Sequence, residues 1–282
     1  MRHLLQYFFY FSFPLAGLAP ICIFTLQRHR GLEAFPYEFY IFTFFLVFTL
    51  YNLDRWKDRA SVDVLNVPLR AIYYQEHEKL FFVHITLSFT ILASGLFFLP
   101  FFFVKKLIIS SILTLLYFLL SKAFFIPSLI RGFLKPLLLG LAWGLVLSFF
   151  PYFYLGKNPD SGGILFFLSR FLIFFINGLW FDYRDKEGDK VYNKPNLSLY
   201  ISESKLGNLL LVSSLLGILI HLSAKLFSAE ILILGLYFLI AVLFKIKPFR
   251  VLFKKEIFYD LFLDFPIFLF PFLEMLYILF LL

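Results

Sequence analysis

Long apolar runs dominate the chain, and short polar segments separate them. A helix needs about 20 mostly apolar residues to cross the hydrocarbon core of a bilayer. Runs of this kind predict nine helices, at residues 4–27, 36–53, 80–103, 107–125, 136–155, 162–181, 206–224, 229–245 and 257–281. Since no polar stretch is long enough for a separate soluble domain, we expect a single domain over residues 1–282: an all-α polytopic membrane protein with nine transmembrane helices in one bundle around a central cavity.

Composition supports a membrane protein. The 282 residues are 61% hydrophobic and include 44 Phe, far more than a soluble domain of this length carries. The net charge of +8 does not indicate nucleic acid, because the bases flank the apolar runs, where they meet anionic lipid headgroups. We therefore expect the protein to interact with the lipid bilayer and not with nucleic acid. Cys22 is the single cysteine, which excludes an intramolecular disulfide, and the mid-span residue His221 predicts polar packing inside the bundle.

The distribution of charge sets the expected orientation. With the N-terminus inside, 18 of the 26 Lys and Arg residues fall on the cytoplasmic side, and the positive-inside rule then places the loops after helices two, four, six and eight there too. We expect a multi-pass protein of the cell inner membrane. Eleven of the 18 acids share that side, although acids contribute little to topology. Their concentration needs another reason, and a metal site is the one we predict.

The densest charge follows the sixth apolar run. Residues 181–190, here the second acidic element, hold four acids and three bases in ten positions. If the preceding helix continues, Asp182, Asp185 and Asp189 lie along one face, because they are three and four residues apart. Carboxylates so close need water, bases or a hard cation such as Mg²⁺, whose shell is usually completed by substrate phosphates. The element predicts a phosphorylated ligand; the alternative is a solvated, salt-bridged loop.

A similar stretch follows the second apolar run. Residues 51–70, here the first acidic element, carry Asp54 and Asp58 one helical turn apart on a shared face. Asp63 joins them only if the helix ends first, and Pro68 predicts an ending in that region. Because the two elements are four helices apart, we expect a pseudo-symmetric bundle in which both face one cavity.

These elements resemble the two aspartate motifs of the UbiA-type prenyltransferase superfamily, which follow the second and sixth of nine helices. The second is the closer match: Asp182-x-x-Asp185-x-x-x-Asp189 and the following Asn193-Lys194-Pro195 resemble the family's second motif and its downstream region. The first element departs from the family pattern: its Asp54-Arg55-x-x-Asp58 resembles the last two aspartates of the motif, and Asn52 is shifted. In another register, with an extra residue between Asp58 and Asp63, Asp63-x-x-Asn66-x-Pro68 resembles the family's continuation.

A basic segment after the fourth run adds to the resemblance. Pro127-Ser128-Leu129-Ile130-Arg131 is similar to a conserved basic motif of that superfamily, with Arg131 in place and Lys135 one turn further on. By topology the resemblance covers the whole chain, and by motif it covers about forty residues. Arg131 offers a planar fork to phosphate, whereas a lysine acts as a point charge.

The resemblance implies an activity and a set of site residues. Members of the superfamily transfer a prenyl group from a polyprenyl diphosphate to a small hydrophobic or aromatic acceptor, with Mg²⁺ as cofactor. The implied metal ligands are Asp54, Asp58, Asp182, Asp185 and Asp189. The implied diphosphate-binding residues are Asn52, Arg131, Lys135, Lys186 and Lys190, and the implied catalytic residues are Asp58, Asp185 and Asp189.

Two further acids are candidates for an acceptor site. Asp260 and Asp264 are one turn apart near the start of the ninth run, and Asp264 lies one to two turns into apolar sequence. An intramembrane carboxylate costs about 2.5–3.5 kcal/mol on insertion scales, which makes it a functional candidate. The alternative is that both side chains reach the interface or pair with Lys254 or Lys255.

Two other functions fit parts of the same pattern. The altered first motif favours a non-catalytic relative that binds a lipid diphosphate or serves as a membrane assembly protein. A transporter with a polar central site is the third interpretation. Against it, the acids gather at one membrane face, whereas transporter sites usually lie near the midplane.

Overall fold

A computed structural model describes residue 10 and residues 12–121, 126–223, 229–246 and 265–281 of the protein. Almost all of these residues are helical, and within them there is no strand. The all-α prediction is therefore confirmed for this part of the chain. The predicted acceptor residues Asp260 and Asp264 lie outside the described residues.

The helices follow the apolar runs closely. They are α1 Phe13–Arg30, α2 Tyr37–Asp58, α3 Val62–Asn66, α4 Pro68–Glu76, α5 Glu78–Gly95, α6 Phe101–Ser121, α7 Ser128–Gly144, α8 Phe150–Tyr154, α9 Ser161–Arg184, α10 Lys186–Val191, α11 Glu203–Ser223, α12 Ala229–Lys245 and α13 Phe265–Leu281. Among the described residues, three helical stretches are long and apolar enough to cross a membrane: Ser128–Tyr154, which joins α7 to α8, Ser161–Arg184 and Glu203–Ser223. The described chain thus has the helical, membrane-like character that its hydropathy predicts.

The helices form a bundle in which α9 is the most enclosed of the three candidate spans. Helix α9 packs between α7 and α11, while α13 packs against α1 and α1 against α2. Every residue from 172 to 180 is buried, which agrees with a run that is apolar on all faces. Trp143 of α7 stacks on Phe174 of α9 with ring centroids 4.2 Å apart. The sixth apolar run therefore forms much of the core.

A buried arginine fixes α9 to three other helices. Pro151 has no N–H, so the carbonyl of Leu147, four residues earlier, lacks its α-helical donor in a stretch of π-helix over Leu145–Phe149. Arg170 of α9 donates Nη1 to that carbonyl and Nη2 to the carbonyl of Cys22 at 3.1 Å. Its Nε donates to Oε1 of Glu230 at 2.8 Å. Since these side chains are 2% and 4% exposed, we call Arg170 and Glu230 the buried ion pair.

The two ends of the bundle differ in character. At one end Asp160 caps α9 by accepting from the N–H of Gly163 at 2.8 Å, and it also pairs with Arg30 at the end of α1. At the other end α2 finishes at Asp58 and α9 finishes at Arg184. We call this second end, which holds both acidic elements, the charged end.

Candidate functional site

The helix does not continue through the second acidic element, as it would have to for the three aspartates to share one face. Helix α9 ends at Arg184, Asp185 occupies the junction, and α10 begins at Lys186. The three aspartates consequently do not follow one helix face. Asp185 turns to its own neighbour, accepting from Nε of Arg184 at 2.6 Å and from Nη2 at 3.1 Å. The break separates Asp185 from the other two and lets Asp182 and Asp189 approach the same side chain.

That side chain is Lys135 of α7. Its Nζ lies 3.0 Å from Oδ1 of Asp182 and 3.5 Å from Oδ2 of Asp189. Both carboxylates are buried, with residue exposures of 0% and 2%, whereas the lysine side chain is 31% exposed. Two buried carboxylates repel each other strongly, and an ammonium between them reduces that repulsion. Lys135 was predicted as a diphosphate ligand, and the structure places it at the centre of the second acidic element.

A segment after α10 completes the surroundings of these carboxylates. The N–H of Leu197 donates to Oδ2 of Asp182 at 3.0 Å, and Nδ2 of Asn196 donates to Oδ2 of Asp189 at 2.9 Å and to the carbonyl of Asp182 at 2.7 Å. The Asn196 side chain also accepts from the N–H of Ser198, two residues on. Sequence reasoning missed Asn196. The pattern Asn-Leu-Ser, typical of an asparagine that closes a turn with its own backbone, was the available signal.

Close approach at Gly132 brings this segment to α7. A Cβ at Gly132 would lie 2.8 Å from the N atom of Leu197 and 3.0 Å from the carbonyl carbon of Asn196. These are backbone atoms, so a side chain could not be accommodated by a rotamer change. Gly132 is three residues before Lys135 on α7, and the tight contact therefore holds Lys135 beside Asp182 and Asp189.

The first acidic element meets the second. Helix α2 ends at Asp58, in the region where an ending was predicted, and a turn leads into α3, where Asp63 is buried and pairs with Nη2 of Arg70 at 3.5 Å. Asp58 Oδ1 lies 2.7 Å from Nζ of Lys194, which follows α10. The two acidic elements thus converge at one end of the bundle, as the sequence predicts.

A glycine marks the point of closest contact. Gly188 of α10 donates its N–H to Oδ1 of Asn66 at the end of α3, at 3.1 Å. A Cβ at Gly188 would lie only 2.2 Å from that same oxygen. A Cβ here would displace the Asn66 side chain and disrupt its hydrogen bond with the Gly188 N–H, so this contact between α3 and α10 depends on the glycine.

Nine side chains define what we call the acid–base cluster: Asp58, Asp63, Asp182, Asp185 and Asp189 with Arg70, Lys135, Arg184 and Lys194. Burial on its own would raise the pKa of Asp185, but Arg184, Lys135 and Arg70 together lower the pKa below its ordinary value. Burial does raise the pKa of Asp63, because the opposing effect of Arg70 is smaller and Asp185 adds repulsion. The cluster therefore holds carboxyls with opposite pKa shifts.

The remaining predicted residues take different positions. Asn52 is fully buried and donates Nδ2 to the carbonyl of Phe48 on its own helix at 2.7 Å. Asp54 lies one turn before Asp58 and within electrostatic range of Lys135. Lys190 is exposed and Lys186 is half-buried. The structure therefore brings Asp54 towards the cluster, while it turns the amide of Asn52 into the bundle.

Two guanidinium groups, that of Arg70 in the cluster and that of Arg131 beside it, each have an Nε–H donor that no described residue uses. Arg131, one turn before Lys135, donates Nη2 to Oγ of Ser128 at 3.0 Å. Within the described part of the chain, the Nε atoms of Arg131 and Arg70 are buried and have no hydrogen-bond partner. A buried donor without an acceptor is costly, and an anionic ligand would satisfy it.

A resident metal fits this arrangement poorly. Among the described residues, no group of three or more His, Cys, Asp or Glu side chains is placed to hold a metal ion. The acids of the cluster contact bases instead, and Asp182 and Asp189 share Lys135. Mg²⁺ therefore stays a prediction that rests on the sequence.

No protein-family model, no curated protein and no solved structure matches this chain.

Proposed function

We propose that the protein is a membrane prenyltransferase, a divergent relative of the UbiA-type superfamily, that takes a polyprenyl diphosphate as its donor. The observation that carries the proposal is the convergence of the two acidic elements through the contacts of Asp58 with Lys194 and of Asn66 with Gly188. The superfamily's reaction needs such a convergence, because both elements act on one diphosphate. Lys135, at the centre of the cluster, supplies positive charge where that diphosphate would lie.

In this proposal the chain crosses the membrane nine times around a central cavity. The N-terminus and the charged end face the cytoplasm, in keeping with the excess of Lys and Arg there. The three helical stretches that are long and apolar enough to span a bilayer support the membrane location. A prenyl chain would lie among the apolar side chains of the bundle, with its diphosphate at the charged end.

The chain's own cations supply the chemistry that we assign to the cluster. Lys135 and Lys194 act as point charges, and Arg131 offers a fork with a free Nε. As the bond between the prenyl C1 and the diphosphate oxygen breaks, the electron pair leaves with the diphosphate, and these cations stabilise the charge that accumulates on it. The allylic carbocation is then captured by a nucleophilic atom of the acceptor, which releases a proton.

Mg²⁺ is the cofactor that the resemblance implies, and bound Mg²⁺ would neutralise diphosphate oxygens. Among the described residues, no group of three or more His, Cys, Asp or Glu side chains is placed to hold the ion. The acceptor is a small hydrophobic or aromatic molecule by the same resemblance.

A turnover assay tests the proposal. Purified protein in lipid would be incubated with radiolabelled prenyl diphosphates of several lengths and a lipid extract as the source of acceptor, and released diphosphate and prenylated product would be measured. We expect release of diphosphate in step with the appearance of a product whose mass has gained the prenyl group. Product formation without diphosphate loss, or no product with any chain length, would count against it.

A non-catalytic lipid-diphosphate-binding protein is the second candidate. The observation that favours it is that Asp58, Asp63, Asp182, Asp185 and Asp189 all contact bases of the protein. Tight binding of geranylgeranyl diphosphate with no release of diphosphate in the same assay would select this candidate over the enzyme.

A further inference from the structure

The position between Asp182 and Asp189 is filled by an ammonium group. Lys135 reaches it from α7, more than forty residues away in sequence, and its Nζ is within 3.5 Å of an oxygen on each carboxylate. Two acids that share a cation in this way are the arrangement in which an acidic motif commonly holds a divalent ion. Here a side chain of the protein takes that role.

Other donors of the protein also reach these two acids. Oδ2 of Asp182 accepts from the N–H of Leu197, and Oδ2 of Asp189 accepts from Nδ2 of Asn196. Both acids are at least 98% buried. An Mg²⁺ ion entering this position would have to displace Lys135 and compete with these donors, and Mg²⁺ also loses its own waters reluctantly.

We propose that Lys135 is a resident counter-ion of Asp182 and Asp189, and that the second acidic element binds no free divalent cation as long as this lysine is present. Removing its charge leaves two buried carboxylates facing each other and turns the position into a divalent-cation site. The inference concerns the protein without substrate, and it stands whether or not the protein transfers prenyl groups.

The test measures thermal unfolding of purified protein in detergent, without any diphosphate, as Mg²⁺ is raised from none, with EDTA, to 10 mM. The wild-type midpoint should not respond in a saturable way. In Lys135→Met the midpoint should fall by about 5 °C, because one partner of a largely buried ion group is lost. Saturating Mg²⁺ should restore most of that loss, because a cation that binds only the folded state stabilises it.

Two controls keep the test sharp. Lys205→Met removes an exposed lysine near the start of α11 at the charged end and should change neither the midpoint nor its Mg²⁺ response. The double variant Lys135→Met/Asp189→Asn removes one acid along with the base, so its midpoint should recover and its Mg²⁺ response should disappear. A response to Mg²⁺ in Lys135→Met alone among the four proteins would identify a cation position, because a general effect of salt would act on all four.

Two outcomes overturn the inference. Saturable stabilisation of the wild type by Mg²⁺ that Asp182→Asn abolishes would show that the element holds a metal despite Lys135. A Lys135→Met protein that folds but ignores Mg²⁺ would show that the lysine does not fill a cation position. If Lys135→Met does not fold, Mn²⁺ binding to the wild type and to Asp182→Asn, followed by electron paramagnetic resonance, decides the question: equal binding supports the inference, and binding lost in Asp182→Asn contradicts it.

Discussion

Two groups of opposite charges, the buried ion pair and the acid–base cluster, differ in how tightly their cations are held. In the buried ion pair, Arg170 is 2% exposed and gives its donors to Glu230 and to two backbone carbonyls. In the acid–base cluster, the side chains of Lys135 and Lys194 are 31% and 32% exposed and bind through flexible stems. A guanidinium locked to backbone positions helices, whereas a partly exposed ammonium can turn to a ligand. On this ground we place the proposed site in the acid–base cluster and not in the buried ion pair.

The largest predicted effect separates the two groups by stability. Arg170→Met should destabilise the fold by about 3–5 kcal/mol, because Glu230 would remain buried without its partner and the Leu147 carbonyl would lose a donor. Unfolding in detergent measures this, and Arg170→Met/Glu230→Met should regain much of the loss because no buried charge remains. A single variant as stable as the wild type would contradict the structural role of the buried pair.

The next largest effect is expected on the rate of prenyl transfer. Asp185→Asn and Asp189→Asn should each reduce prenyl transfer by about 100-fold or more, since electrostatic groups at a reacting site typically have effects of this size. Their unfolding midpoints should change far less than that of Arg170→Met, because asparagine keeps the shape and one acceptor oxygen. Initial rates of diphosphate release per mole of folded protein provide the measurement. Normal turnover in both variants would show that these two aspartates are not needed for catalysis.

The contact between the two acidic elements can be broken sterically. Gly188→Ala places a Cβ against Oδ1 of Asn66, so the Asn66 side chain must move away from the N–H of residue 188. We expect the loss of this contact between α3 and α10 to weaken prenyl diphosphate binding about tenfold. Gly235→Ala is the matched control, because a Cβ at that helical position has nothing within 4 Å. If both alanine variants bind prenyl diphosphate equally well, the contact between the two acidic elements is not needed for binding.

The smallest effect is a pair of opposite pH dependences. The lowered pKa of Asp185 means that its charge stabilises the fold at pH values above the ordinary aspartate range, and that this stability is lost as the pH falls through the lowered pKa. The raised pKa of Asp63 means that its charged form opposes folding, and that this cost fades as the pH falls through the raised pKa.

Asn variants at the two positions should therefore behave differently. Near pH 7, Asp185→Asn should lower the unfolding midpoint slightly and Asp63→Asn should raise it or leave it unchanged, and both differences should shrink in acid. Midpoints recorded from pH 7 to pH 3 test this. Parallel curves for the two variants would contradict the opposite pKa shifts.

Much of the fold could be predicted from hydropathy, and the errors have local causes. The helix predicted at 162–181 is observed at Ser161–Arg184, and it begins at Ser161 because Asp160 supplies the N-cap. The helix predicted to begin at residue 136 begins instead at Ser128, because Pro136 lies inside α7, against Gly178, and does not end the helix. The propensity of a single residue was outweighed by packing.

The site was less predictable than the helices. Spacing located both acidic elements, but not the break of the helix at Asp185, which no proline or glycine marks. That break accompanies contacts from Asn196 and Leu197 to Asp182, and the pairing of Lys135 with the same acid spans 47 positions. Long-range contacts of this kind leave no periodic signal in the chain. The partners of the acids therefore emerged only from the structure.

Recognition of a diphosphate by the charged end is tested most directly by equilibrium binding of a labelled prenyl diphosphate, compared with the prenyl alcohol of the same length. We expect the diphosphate to bind at least tenfold more tightly than the alcohol. The double variant Lys194→Met/Arg131→Met should lose most of that preference, and Lys205→Met should keep it. Equal binding of diphosphate and alcohol, or a preference that survives the loss of both cations, would show that the charged end does not recognise a diphosphate.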